Sequence, residues 1–143
     1  MKILFSNKKI NLNYLILERY ECGIVLEGSE VKSLINANGS IDEAFAIISN
    51  QQLYIINMYI APYLYNTTAK IDSYRRRKLL MHKNEIQKIS YQIKKQHLTL
   101  VPAKIYIQNN VIKIEIALAK HKNSKDKRET IKDRDAKRET KKY

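Results

Sequence analysis

Tyrosines and cations are interleaved along the first half of this chain: Tyr14, Arg19 and Tyr20, then Tyr59, Tyr63 and Tyr65, then Tyr74 followed directly by Arg75-Arg76-Arg77-Lys78. Lys and Arg neutralise phosphates, and exposed aromatic rings stack on unpaired bases, so the mixture suits RNA. Ordinary strand packing and AT-biased codon use also account for tyrosines, and the RRRK run also reads as an exposed helix start. Cations at a helix start oppose its macrodipole, a conflict that a phosphate partner removes.

A second basic run, Lys120 to Tyr143, holds eleven basic residues against five acidic ones, a net charge of +6. Its only aliphatics are Ile131 and Ala136, too little apolar surface to offset the entropy of ordering, so disorder is expected when it is alone. Ser124 and Asp126 are available as N-caps, Asp133 precedes Lys137 by four residues, and KRET recurs at 127–130 and 137–140. The expectation is a helix that forms against a polyanion. A solubilising charged end is the plainer alternative.

The rest of the composition supports the polyanion. The 143 residues carry +13, so the body keeps +7 once the end segment is set aside. Both parts are basic, as expected for a nucleic-acid partner. The length suggests one domain over 1–119, with 1–12 as a mobile arm, plus a basic tail over 120–143. No stretch approaches the apolar length of a membrane span, and the first residues lack a signal-peptide pattern. Cys22 is the only cysteine, so a reducing cytoplasm is the expected location. Ile, Asn, Lys and Tyr are the residues AT-rich codons encode, which points to a low-GC genome.

Catalysis is not expected. Cys22 sits in an apolar run and reads as a small core residue. His82, His97 and His121 are far apart from it and from one another, with no pair at zinc spacing, so neither metal nor cofactor is expected. With three glycines, no phosphate-cradling loop is present.

The elements that must position the cations follow from periodicity. Tyr14 to Gly28 reads as a long strand, bulged or bent at Gly23. Ser29 caps a short helix with Glu30 in its first turn. Phe45–Ser49 and Leu53–Ile60 form a hairpin around Asn50-Gln51-Gln52. Residues 64–74 are a polar loop. Leu79, Ile86, Ile89 and Ile93 predict one helix from Arg75 to Gln96. Ile105 and Ile107, then Ile112, Ile114, Ile116 and Leu118, alternate around a two-residue Asn109-Asn110 turn. The sum is a mainly β (α+β) chain, a small closed antiparallel barrel with helices beside it.

Five blocks then resemble one family in order and spacing. Tyr20 to Leu34, YECGIVLEGSEVKSL, resembles the Y-E-A-G-I-V-L-x-G-x-E-V-K-S-L block of the SsrA-binding protein (SmpB) family. Asn57 to Tyr63 is similar to its N-M-x-I-x-P-Y element, Arg75 to Ile86 to R-T-R-K-L-L-L-H-K-x-E-I, and Leu98 to Pro102 to L-T-L-V-P. Asp126 to Glu129 matches the tail's D-K-R-E. The resemblance implies an oligonucleotide-binding (OB)-type barrel that binds the tRNA-like domain of transfer-messenger RNA (tmRNA). It implies delivery of that RNA to stalled ribosomes for trans-translation, with the barrel replacing a missing anticodon arm and contacting the RNA elbow. The tail would run through the decoding region into the empty mRNA channel of the small subunit. A monomer acting without a membrane is expected; the alternative is a small basic structural protein of the ribosome.

By the same resemblance, Glu21 falls on an RNA-contacting Glu, Leu80 and His82 on positions of a basic helix in that contact, and Tyr14 on the Tyr of an A-R-H-x-Y motif. The expected RNA-facing set is Tyr14, Arg19, Glu21, Lys32, Arg75, Arg77, Lys78, Leu80, His82 and Lys83. The expected ribosome-facing set is Lys122, Lys125, Asp126, Lys127, Arg128, Lys132 and Arg134. The sequence departs from the family at Ile10 to Asn13, where Arg and His are missing. It departs again at His121-Lys122-Asn123, which replaces G-K-K, and at Lys125, where an aromatic residue is common.

Overall fold

A computed structural model describes residues 1–63 and 71–122 of the chain. The elements in order are β1 (Lys2–Ser6), α1 (Ile10–Asn13), β2 (Tyr14–Ile24), α2 (Gly28–Ile35), β3 (Gly39–Ser40) and β4 (Phe45–Ser49). They continue with β5 (Gln52–Ile56), β6 (Tyr59–Ile60), β7 (Arg77–Leu80), α3 (Lys83–Gln96), β8 (Thr99–Gln108) and β9 (Val111–His121). The structure is mainly β. Antiparallel pairing runs β8-β4-β5-β7-β2-β9, and β9 pairs again with β8, so the strands form a ring. One joint, β4 to β8, is the single pair Ala46 and Leu100.

The ring follows from residue alternation. Ile112, Ile114, Ile116 and Leu118 of β9 are buried, as are Leu53 and Ile55 of β5 and Leu100 and Ile105 of β8. The residues alternating with them include Gln52 and Tyr54 on β5 and Lys113 and Glu115 on β9, the period-two signature of a strand with one face in the core. Val101, Ala103, Ala117 and Ala119 are instead buried on the opposite side. Both long hairpins turn on two residues with positive φ: Asn50 and Gln51 at 51° and 63°, Asn109 and Asn110 at 52° and 63°. That geometry matches the twist of the flanking strands, and Asn tolerates it almost as well as Gly. Helix α3 covers the core with Ile86 and Ile89, and α2 inserts Leu34.

Several expectations are corrected. The helix predicted over Arg75 to Gln96 starts only at Lys83; Arg77–Leu80 is strand β7, in which Arg77 and Leu79 point inward and Lys78 and Leu80 outward. Residues 1–12 are not a mobile arm. Strand β1 pairs with β8, and the Asn7 backbone N–H donates to the Ala103 carbonyl at 2.8 Å. Ile10 of α1 then buries itself on Val101, Ala103, Ala117 and Ala119, a second small core on the outer side of the β8–β9 hairpin. The irregularity in β2 lies between Ile16 and Glu18, not at Gly23, and the strand ends at Ile24. Gly23 is a point of close approach instead, since a Cβ there would sit 3.3 Å from the Leu80 Cβ. The N-cap of α2 is Glu27, not Ser29, and its backbone N–H donates to the Glu30 carboxylate at 2.9 Å. The strand expected over Leu53–Ile60 is split by Asn57, with φ of 58°.

Gly39 meets a harder limit. A Cβ there would lie 2.6 Å from the Tyr59 carbonyl oxygen across the β3–β6 pair. Backbone atoms on both sides cannot yield easily, so Gly39→Ala should destabilise the fold by about 1–3 kcal/mol. Thermal unfolding measures this directly, and an unchanged midpoint would refute the crowding.

Candidate nucleic-acid interface

The outward faces of β5, β7, β2, β9 and β8 lie side by side. On β7, Lys78 stands opposite Tyr54 of β5, and the Arg76 guanidinium lies 3.7 Å from the centre of the Tyr54 ring. Leu80 is 52% exposed and stands opposite Gly23 of β2. His82 and Lys83 are exposed at the start of α3. A lysine there is disfavoured by the helix dipole and favoured by a phosphate nearby.

The adjoining face of β2, β9 and β8 carries a charge network. Arg19 pairs with Glu115 at 2.8 Å, and Lys104 reaches the same carboxylate at 3.6 Å. Glu21 pairs with Lys113 at 2.8 Å and accepts a hydrogen bond from the Tyr106 hydroxyl. These donors, Lys113 first, hold the Glu21 carboxyl below its ordinary pKa, against a smaller opposing effect of burial. Burial, reinforced by Glu21, pushes the Tyr106 phenol well above its ordinary value, so it remains a donor.

Behind this surface sits an ion-pair cluster. Arg77 is fully buried and donates to Glu30 at 2.6 Å, to the Met58 carbonyl at 2.8 Å and to the Ser73 carbonyl at 3.1 Å. Arg75 donates to Glu30 at 2.5 Å. Glu30 is 3% exposed; burial alone would raise its pKa, but the bonds from Arg75, the Glu27 backbone and Arg77 lower it overall. Arg77 therefore faces no RNA in this arrangement, which corrects its place in the RNA-facing set. Arg75 is largely committed to the same carboxylate. An inward arginine was unreadable without its partner, 47 residues away in sequence.

The remaining expected residues divide into two regions. Lys32 is exposed on α2 with its ammonium 5.2 Å from the Tyr63 ring centre. Tyr14 is half-buried against His121, with ring centres 4.6 Å apart. It begins β2, whereas Gly23 nears its end, so nine residues of strand place them about 30 Å apart. The structure does not gather Tyr14 with Leu80 and His82. Lys122 is tied to the body: its backbone N–H donates to the Asn13 carbonyl at 2.9 Å and its ammonium to the Asn11 carbonyl at 2.7 Å. Lys125, Asp126, Lys127, Arg128, Lys132 and Arg134 lie outside the described residues, as does Tyr65. Sequence reasoning missed Tyr54, Lys104, Tyr106, Lys113 and Glu115, although the last two alternate with buried isoleucines and so had to face outward.

Cys22 is buried, and burial raises its thiol pKa to about 12, so it holds no thiolate to attack with. Among the described residues no three His, Cys, Asp or Glu side chains gather to hold a metal, and no helix is long and apolar enough to cross a membrane.

Comparison with known proteins bears on the fold and the family. The family model described as SmpB protein matches residues 4–143. The SsrA-binding protein of Malacoplasma penetrans is 52% identical over 143 residues, covering 100% of this chain and 98% of the relative. That of Ureaplasma parvum serovar 3 is 51% identical, covering 96% and 98%. The fold matches a chain from a solved structure described as "tmRNA-SmpB: a journey to the center of the bacterial ribosome" with a TM-score of 0.69 and 38% identity. The match covers 89% of this chain and 93% of that one. A match along nearly the entire length shows that the chain belongs to the SmpB family of SsrA-binding proteins.

Proposed function

We propose that this chain binds the tRNA-like domain of tmRNA and delivers it to stalled ribosomes for trans-translation. The observation that carries the reading is the pairing of family membership along the whole chain with one outward face that collects Arg76, Lys78, Leu80, His82 and Lys83 beside Glu21. In this reading the ring of strands is an OB-type barrel and residues 1–119 are the RNA-binding unit. Residues 120–143 are the part that meets the decoding region and mRNA channel of the small subunit. The protein works by binding, in the cytoplasm, without catalysis of its own.

Affinity rests on phosphate neutralisation, and preference rests on the shape of the RNA elbow and its unpaired bases. A titration of the full chain against the tRNA-like domain of tmRNA, across a range of salt and with ordinary tRNA as competitor, tests both. Affinity should fall with a log–log slope of about 0.7–0.9 per phosphate contacted, and tmRNA should outcompete tRNA at every salt concentration. Equal binding of the two RNAs would leave only a polycation and overturn the reading.

A further inference from the structure

We propose that Arg76 clamps one backbone phosphate of the RNA, with Tyr54 as the residue that positions it. The inference rests on the RNA-binding reading above and deepens it with a contact that the family's blocks do not contain. The second place of the R-T-R-K element is Arg76 here, where the family pattern has Thr, and Tyr54 precedes the N-M-x-I-x-P-Y element. The ground is a difference among the arginines. Of the four described, Arg19 is paired with Glu115, and Arg75 and Arg77 with Glu30. Arg76 is exposed and pairs with no carboxylate among the described residues, yet its position is fixed. The centre of its guanidinium lies 3.7 Å from the centre of the Tyr54 ring. Tyr54 is half-buried on β5, opposite Lys78, and its hydroxyl donates to Gln52 Oε1 at 3.0 Å.

A stacked guanidinium sets one face of its plane against the ring. Its N–H donors lie in that plane and stay free at the edge. Such an edge matches two oxygens of one phosphate, and the ring reduces the freedom lost when both bonds form. The surroundings select an anion over a neutral base edge. Lys78 lies two residues further along the chain, about 7 Å from Arg76, and it too pairs with no carboxylate among the described residues. Two unpaired cations at that separation suit neighbouring phosphates of one RNA strand. Leu80 lies further still, about 13 Å from Arg76 along the chain. The clamp therefore extends the interface across β7 onto β5, away from the contact that the resemblance implies for Leu80.

The test is a salt titration of the full chain against the tRNA-like domain of tmRNA. Arg76→Ala should weaken binding about tenfold at moderate salt and lower the log–log slope by about 0.7–0.9. Arg76→Lys keeps the charge and loses the planar fork, so the slope should hold while affinity falls several-fold. Tyr54→Phe keeps the ring and should bind as the unaltered chain does. Tyr54→Leu should lose affinity as Arg76→Lys does, and should add nothing to the loss in Arg76→Ala. Lys94→Ala, on the last turn of α3, removes one charge elsewhere and should change affinity by no more than about twofold.

Full affinity in Arg76→Ala overturns the proposal, as does an equal loss in Lys94→Ala, which would leave net charge as the whole effect. Full affinity in Arg76→Lys overturns the two-oxygen clamp. A loss in Arg76→Ala with the slope unchanged overturns the phosphate assignment, because the guanidinium would then meet a neutral group. A loss in Tyr54→Leu that persists undiminished beside Arg76→Ala overturns the positioning role. These failures differ from failure of the function reading, in which the unaltered protein shows no preference for tmRNA over tRNA and both proposals fall together.

Discussion

Glu30→Ala should destabilise the fold by about 3–5 kcal/mol and lower the thermal midpoint by roughly 10–25 °C. Glu30 joins α2 to the segment entering β7, accepting from Arg75 at 2.5 Å and from fully buried Arg77 at 2.6 Å. Without it the Arg77 charge is left desolvated and without its counter-ion, which costs far more than the net value of the pair. Arg77 also donates to the Met58 and Ser73 carbonyls. The double variant Glu30→Leu with Arg77→Met should therefore recover stability only in part, because it removes the stranded charge yet leaves two carbonyls without that donor.

The same carboxylate sets a pH dependence. Its folded pKa is lowered, so its contribution is complete above its unfolded value, near the usual glutamate pKa of about 4.3. The contribution fades as pH falls through the folded value. Stability should thus drop on acidification below about pH 4, and Glu30→Gln should flatten that limb. Thermal melts of the parent and the variants at several pH values check both results. A loss of only a few degrees in Glu30→Ala would mean that Arg77 finds water or another acceptor.

Much of this was legible in the sequence, and the reasons are local. The β8–β9 hairpin was readable because isoleucines alternate on both sides of Asn109-Asn110, and pattern and turn chemistry agree. The β4–β5 hairpin was readable for the same reason. Strand β7 was not. It is four residues long, its inward position 77 holds an arginine, and Leu79 falls seven residues before Ile86, so it extends the helical spacing of α3. The second small core was hidden because three of its four strand residues, Ala103, Ala117 and Ala119, are too small to mark a face, and Val101 alone makes no pattern. At the candidate interface, resemblance supplied Glu21, Leu80 and His82. The groups that orient Glu21 lie 85 and 92 residues away, and only the strand register reveals them.

Removing residues 123–143 should abolish peptide tagging on stalled ribosomes while leaving most tmRNA affinity in place. The cut belongs after Lys122, because Lys122 donates to Asn13 and Asn11 and His121 packs on Tyr14. A cut further in would loosen α1 and the start of β2. The deleted segment carries nine basic and five acidic residues, so the remaining chain keeps +9 of the original +13. Phosphate neutralisation by the body therefore survives, and the salt slope of tmRNA binding should change by less than it would if the tail were the main contact. Tagging depends on a different requirement, a segment able to occupy the mRNA channel, and no residue of the strand ring supplies one in this reading. Tagging in a reconstituted ribosome system, measured beside tmRNA affinity for the same truncated protein, separates the two roles. Parallel loss of both would show that tail and body form one RNA-binding surface, and retained tagging would remove the channel role altogether.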